Sequence, residues 1–335
     1  MKVTKPGLLT TVQDLGRLGL QHLGVVPCGA MDPVALELAN ALVGNSRDAA
    51  ALEITVLGPE LALESDALVA ICGAAMEAKV DGKPFLGNRP VLLRKGSLLS
   101  VGRATRGSRA YLAVAGGIES PPVLGSRSTC LPAGFGGLAG RALRAGDVLP
   151  LVGDAATVAL KRYLKISGAK KAGPAGMSTV RWTAPAPTLP DGDTITVHAM
   201  EGRHHAQFDA PARRAFFETA WKVSPDSNRM GFRLAGPVLA RTEAVEILSE
   251  PTCLGTVQVP ANGLPIALMA DHQTTGGYPK IAEIAGADVP RLAQLAPGAS
   301  VQFARCTLED AAALRRALRR RLDQTLRTLA WEYGN

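Results

Sequence analysis

The chain has 335 residues, 47% of them apolar and 20% charged, a balance that buries enough surface to offset chain entropy without disulfide staples. One core usually stops growing at about 250 to 300 residues, so two domains are expected. The net charge is +8, but Arg315, Arg316, Arg319, Arg320, Arg321 and Arg327 crowd one C-terminal segment, which argues against a distributed nucleic-acid groove.

In chain order, the N-terminus MKVTKPGLLTTVQDLG has no apolar signal region, and no apolar run in the sequence is long enough to span a bilayer. A cytoplasmic protein is expected, with no membrane or nucleic-acid partner. Gln13, Asp14 and Asp32 lie in a Gly-punctuated polar stretch. Asp32 is placed to cap a helix, with Pro33 in its first turn, formers from Ala35 to Val43, and Gly44 as terminator. From Ala51 to Leu151 short apolar runs alternate with Gly, Pro and Asp, the pattern of antiparallel strands. Asp81-Gly82 between Val80 and Lys83 marks a hairpin. Near Ala155 to Pro190 the strand rhythm gives way to Lys, Gly, Ala and Pro, which reads as a connection. Short strands then return (TITVHAM, GFRLAG, AVEILS, GTVQVP, LPIALMA, Ser300 to Arg305), followed by a helix from Leu308 to about Tyr333. Its Leu314, Leu318, Leu322 and Leu326 form one stripe among arginines. These boundaries give an N-terminal domain at 1–185 with a linker at its end, a C-terminal domain at 186–306, and a basic amphipathic helix at 307–335.

Glycine (36) and proline (23) are abundant while aromatics make up only 4%, and the fold class is mostly β with some α. Two short matches hint at duplication: Leu57-Gly58-Pro59 with Ala235-Gly236-Pro237, and RKGSLLSVGRA with APGASVQFARC. The five cysteines are scattered and form no C-x-x-C pair, so neither a disulfide framework nor a metal site is expected. No P-loop string occurs.

The densest polar constellation follows the apolar LPIALMA: Asp271, His272, Gln273, Thr274, Thr275, Gly276, Gly277, Tyr278 and Lys280. Gly-Gly lets backbone N–H groups approach a ligand, Thr hydroxyls beside it suit carboxylate or phosphate oxygens, His272 suits proton transfer, and Lys280 suits a developing negative charge. A turn whose Asp271 and Thr side chains bond their own backbone is the alternative. Upstream, Asn228 and Arg229 offer donors for a carboxylate or oxyanion. Gln258, polar between two valines in a strand pattern, needs a partner or a cavity, and Glu250 precedes Pro251 nearby.

TTVQDLGRLGLQHLGVVPCGAMDPVALELAN, GFGGLAGRALRAGD, SNRMGFRL and GTVQVPANGLPIALMADHQTTGGYPKIAEI together resemble the family of the 5-oxoprolinase C subunit, which includes KipA and allophanate hydrolase subunit 2. The family is similar in turn to the carboxyltransferase region of urea carboxylase. The resemblance runs from about Val3 to Phe303. It implies two cyclophilin-like β-barrels and ATP-driven opening of 5-oxo-L-proline to L-glutamate, shared with a KipI-like B subunit and a third, A subunit, the chain being inactive alone. ATP with Mg2+ would then bind at a site shared with a partner. On this reading Lys280, Thr274 and Gly276-Gly277 attend the phosphorylated lactam oxygen, and Asn228 and Arg229 the substrate carboxylate. Gln13, Asp14 and Asp32 are expected to join the Asp271 to Lys280 loop. The family also implies two alternatives: a KipA-like regulator that binds a KipI-like kinase inhibitor, and a carboxyltransferase using carboxybiotin on a urea-like amide.

Overall fold

The computed structural model describes every residue except 174, 175, 186–188, 190, 191, 193, 243–246 and 335. The protein is mostly β, with five α-helices among the described residues. The chain groups into two units, Met1–Gly16 with Asp32–Leu189 and Arg321–Asn335, and Arg17–Met31 with Pro190–Arg320. This grouping differs from the boundaries read in the sequence, because residues 17–31 associate with the second unit and the C-terminal helix is divided between both.

The first unit holds β1 (Lys2–Lys5), β2 (Leu9–Gln13), α1 (Pro33–Leu42), β3 (Ala51–Thr55), β4 (Glu60–Ala62), β5 (Ala67–Val80), β6 (Lys83–Pro84), β7 (Val91–Leu93), β8 (Leu98–Val114), α2 (Ala155–Ser167) and β9 (Met177–Thr179). Its strands form one nine-stranded sheet along the path β1-β4-β8-β5-β7-β9, with the β2–β3 pair joined through β8 and β6 on β5. Strand β5 is long, running through ALVAICGA and on through MEAKV without a break. Register shifts between Gly73 and Ala78 bend it along β8, as bulges do. Asp81 (φ 50°) and Gly82 (φ 79°) make the expected hairpin turn, and Val80 faces Lys83. Helix α1 starts as its sequence dictates, with the Asp32 carboxylate accepting from the Ala35 N–H at 3.0 Å. The core of this unit includes Leu52, Ile54, Leu61, Val69, Ile71, Leu99 and Leu112.

The region read as a connection holds α2 and β9, so it is no plain linker. Asp154 caps α2 through Thr157, and Ala159, Tyr163 and Ile166 supply its buried face. Of the two matches that hinted at duplication, one is structural: β8 follows Gly96, and the strand at Ser300–Arg305 follows Gly298, both glycines at positive φ. In the other, Gly58-Pro59 leads into β4 but Gly236-Pro237 leads into no strand.

The second unit holds β10 (Thr194–Glu201), α3 (Ala210–Glu218), β11 (Trp221–Val223), β12 (Gly231–Ala235), β13 (Glu250–Pro251), β14 (Thr256–Gln258), β15 (Ile266–Leu268), β16 (Thr275–Gly276), β17 (Lys280–Ile284), α4 (Val289–Leu292) and β18 (Ser300–Arg305). Seven strands close into a barrel in the order β10-β17-β14-β15-β12-β11-β18. Its core contains Val257, Ile281 and Val301, with Phe216 stacked on Phe303 at 4.5 Å between centroids. Met31, from the N-terminal stretch, is buried in the same core. β13 and β16 form a separate two-stranded ribbon. Of the expected strand AVEILS, 244–246 fall outside the described residues and Ile247, Leu248 and Ser249 lie in no strand. Helix α5 (Leu308–Tyr333) has the expected extent, with Leu322, Leu329 and Tyr333 buried. No helix among the described residues is long and apolar enough to cross a membrane.

Candidate functional site

The barrel wall formed by β14 and β17 carries buried polar side chains at Thr256, Gln258 and Lys280. Val257 and Val259 point into the core, so the alternation of a strand turns Thr256 and Gln258 to the outer face. Both are nonetheless buried. Gln258 lies opposite Lys280 in the β14–β17 ladder.

Lys280 is 5% exposed, and a buried ammonium needs a counter-ion. Its Nζ donates to Glu250 Oε1 at 2.8 Å and to the Pro251 carbonyl at 2.5 Å, both on β13. The Lys280 bond holds the Glu250 carboxyl below its ordinary range. The Lys280 backbone N–H donates to His204 Nδ1 at 3.2 Å, which requires that nitrogen to be unprotonated. Burial, the largest influence, pushes the His204 pKa down, and its Nε2 lies 3.7 Å from Glu250 Oε1.

Two amides complete this floor. Gln273 Nε2 donates to Gln258 Oε1 at 3.1 Å, while Gln258 Nε2 is buried without a hydrogen-bond partner. The β13–β16 ribbon crosses directly over them: a Cβ on Gly276 would meet Gln258 Nε2 at 2.7 Å and Gln273 Nε2 at 3.2 Å. A side chain at Gly276 would therefore push the two amides out of their present positions. The Thr252 hydroxyl donates to the Gln273 carbonyl, and its N–H to the Thr274 carbonyl at 3.0 Å, pinning the ribbon to the loop after β15.

Asp271, Asn228 and Arg229 are tied to other groups, and His272 is buried apart from hydrogen-bonding side chains at its Nδ1. Arg229 is buried and bidentate on Asp271, Nε to Oδ2 at 2.9 Å and Nη2 to Oδ1 at 2.8 Å, with Nη2 also on the Gly29 carbonyl at 2.6 Å. Its fork thus already holds a carboxylate. Asn228 is exposed and accepts from the Met230 N–H at 2.8 Å, an Asx turn. The two residues read as a joint carboxylate clamp have separate roles. His272 is 3% exposed; its Nδ1 has no partner, and burial pushes its pKa down to about 4, so it is neutral near pH 7. Thr275 and Tyr278 are exposed, and Gly277 lies close under the Ile247 carbonyl.

Gln13, Asp14 and Asp32 belong to the first unit. Asp14 accepts from the hydroxyls of Ser126 (2.6 Å) and Ser128 (2.5 Å) and from the N–H groups of Gly16 and Arg127. Gln13 donates to Thr11 and to the Thr129 carbonyl, and Asp32 caps α1. These are jobs in holding local backbone. From the N-terminal stretch, the Gly29 carbonyl is what reaches the loop after β15, through Arg229.

His204 does not stand out in the sequence, where it lies in GRHHAQ away from any motif; only its bond from the Lys280 backbone reveals it. Chemically, the floor offers an unoccupied amide donor beside a fixed lysine, an arrangement that suits a single developing oxyanion.

The family model of the carboxyltransferase domain, subdomain A and B, matches residues 23–305. The chain is 41% identical over 335 residues to the C subunit of 5-oxoprolinase from Escherichia coli (strain K12), covering 100% of this chain and 99% of that protein. It is 33% identical over 340 residues to the urea amidolyase of Lachancea kluyveri, covering 98% of this chain but 18% of that protein. Among solved structures, the K. lactis urea amidolyase superposes with a TM-score of 0.86 at 31% identity, over 97% of this chain and 20% of that one.

Proposed function

The chain belongs to the carboxyltransferase domain family, subdomain A and B, and from that premise we propose that it is the C subunit of an ATP-dependent 5-oxoprolinase. With A and B subunits it opens 5-oxo-L-proline to L-glutamate in the cytoplasm. The observation that carries this reading is the end-to-end match to the E. coli protein, 100% of this chain against 99% of that one. The urea amidolyase relative is matched over only 18% of its length.

A lactam is a poor electrophile, and bound ATP would supply a phosphoryl group that, placed on the lactam oxygen, activates the ring carbon to attack by water. The residues at hand fit one oxyanion: Gln258 Nε2 is a buried donor without an acceptor, and Lys280 is fixed beside it on the facing strand. They do not amount to a cradle for a whole triphosphate. Among the described residues, no group of three or more His, Cys, Asp or Glu is arranged to hold a metal. We therefore assign Gln258 and Lys280 to the lactam oxygen and the nucleotide with its Mg2+ mainly to a site shared with a partner. Gln273 orients the Gln258 amide, Gly276 leaves room over it, and Glu250 holds Lys280 in place. Preorganised donors of this kind act on the transition state because they need no rearrangement as charge develops.

The test is glutamate release from 5-oxo-L-proline and ATP by the chain mixed with A and B subunits, each omitted in turn. Release should stop when this chain is left out. Lys280→Ala and Thr274→Ala should each lower turnover of the assembled complex by at least about tenfold; unchanged turnover removes them from the site. The superposition on urea amidolyase favours one second reading, carboxyl transfer from carboxybiotin carried on another protein. Dependence on a biotinylated carrier and bicarbonate, with no glutamate formed, would select it. Silence in all mixtures, with and without ATP, would favour a KipA-like regulator.

A further inference from the structure

Glu283 stands on β17 three residues beyond Lys280. In a regular strand such residues face opposite sides. The register shift between Val257 and Gln258 in the β14–β17 ladder changes this: Lys280 lies opposite Gln258, and Glu283 lies opposite Thr256. Thr256 and Gln258 share the outer wall, so the bulge sets Lys280 and Glu283 on one face, the kind of re-aiming that bulges perform beside active sites.

Two side chains bond Glu283, and both reach the same oxygen. Thr256 Oγ1 donates to Oε2 at 2.7 Å and Cys253 Sγ to Oε2 at 3.4 Å. Oε1 takes no hydrogen bond among the described residues. The carboxyl is thus anchored by one oxygen with the other open. The charged and titratable groups around it are Cys253, Lys280 on its own strand and Glu250 on β13; Met200, its neighbour on β10, adds none. Burial raises the Glu283 pKa, outweighing the Thr256 and Cys253 bonds and the Lys280 charge that lower it. Glu250, on β13 and bonded to the same Lys280, is shifted the opposite way, and carboxyl pairs split like this mark acid–base work.

Resting on the oxoprolinase reading, we propose that Glu283 carries the proton of ring opening. Its carboxylate takes a proton from the attacking water as the C–O bond forms. It returns that proton to the ring nitrogen as the C–N bond breaks, leaving Glu283 as it began and the phosphoryl group on the new γ-carboxyl, from which a second water releases it as inorganic phosphate while the amine takes up the remaining hydroxyl proton. Thr256 is a positioning residue acting through Glu283.

In the assembled complex, Glu283→Gln should lower kcat by about a hundredfold or more with KM for 5-oxo-L-proline nearly unchanged, and should abolish one limb of the pH profile. Thr256→Val removes a bond that lowers the Glu283 pKa, so that limb should move to higher pH. Glu283→Gln with wild-type kcat and profile overturns the proposal. A second measurement needs no turnover: in an infrared pH titration of the isolated chain, a protonated carboxyl band that Glu283→Gln lacks should persist above the ordinary glutamate range, and its absence also overturns the proposal. If the wild-type complex releases no glutamate, the oxoprolinase reading fails, and the infrared result alone decides whether Glu283 holds a proton.

Discussion

Arg229 and Asp271 are 3% and 1% exposed at their side chains, so pairing offsets the desolvation of both. Asp271→Asn should lower the unfolding free energy by about 3 to 5 kcal/mol, read from urea melts, because it leaves a buried guanidinium uncompensated. His272 makes the opposite kind of contribution. Its folded pKa is about 4 against an ordinary 6.5, so as pH falls the unfolded chain takes the proton first. Stability should therefore drop by up to about 3 kcal/mol between pH 6.5 and 4, and His272→Gln should flatten that part of the pH curve. Gln258, Gln273, Gly276 and Lys280 are an unusual set in the sequence, and Gln258 meets both Gln273 and Gly276 while facing Lys280 across the ladder. Which way Arg229 turns is not legible there, since the carboxylate it serves lies 42 residues on. Glu283 is hidden for a related reason. KIAEI reads as an ordinary strand, and the bulge that turns Glu283 beside Lys280 is a property of the pairing with β14.

Turn and cap chemistry makes some elements readable, Asp32-Pro33 for α1 and Asp81-Gly82 for the hairpin, while the leucine stripe marks α5. The hairpin allows a graded test. Gly82 has φ 79° and nothing within 4 Å of a would-be Cβ, so Gly82→Ala should cost about 1 kcal/mol from backbone conformation alone. Gly58 has no positive φ, but its Cβ would lie 2.5 Å from the Val101 carbonyl. Gly58→Ala should be the more damaging of the two, at about 1 to 3 kcal/mol or above, with thermal melts ranking them. Helix α2 escapes a sequence reading because the Lys, Gly and Ala around it imitate a linker, although Asp154 with Thr157 is a legible cap. β5 and β8 read as several strands because bulges interrupt their alternation without ending their pairing.

Each unit draws on chain segments far apart in sequence. Met31 is 1% exposed in the core of the second unit, so Met31→Ala should destabilise that barrel by about 2 to 5 kcal/mol. The emission of buried Trp221, isolated by Trp182→Phe and Trp331→Phe, should report the loss. The first unit likewise takes in Arg321–Asn335, where Tyr333 donates to the Leu42 carbonyl at 2.6 Å. During synthesis neither set of residues is complete until the last helix is being made. At about 5 to 20 residues per second, Met31 waits roughly a quarter of a minute to a minute on the ribosome before the barrel that encloses it can close. For that interval the nascent chain carries open strand edges, which makes it a client for chaperones during translation and sensitive to any truncation near its end.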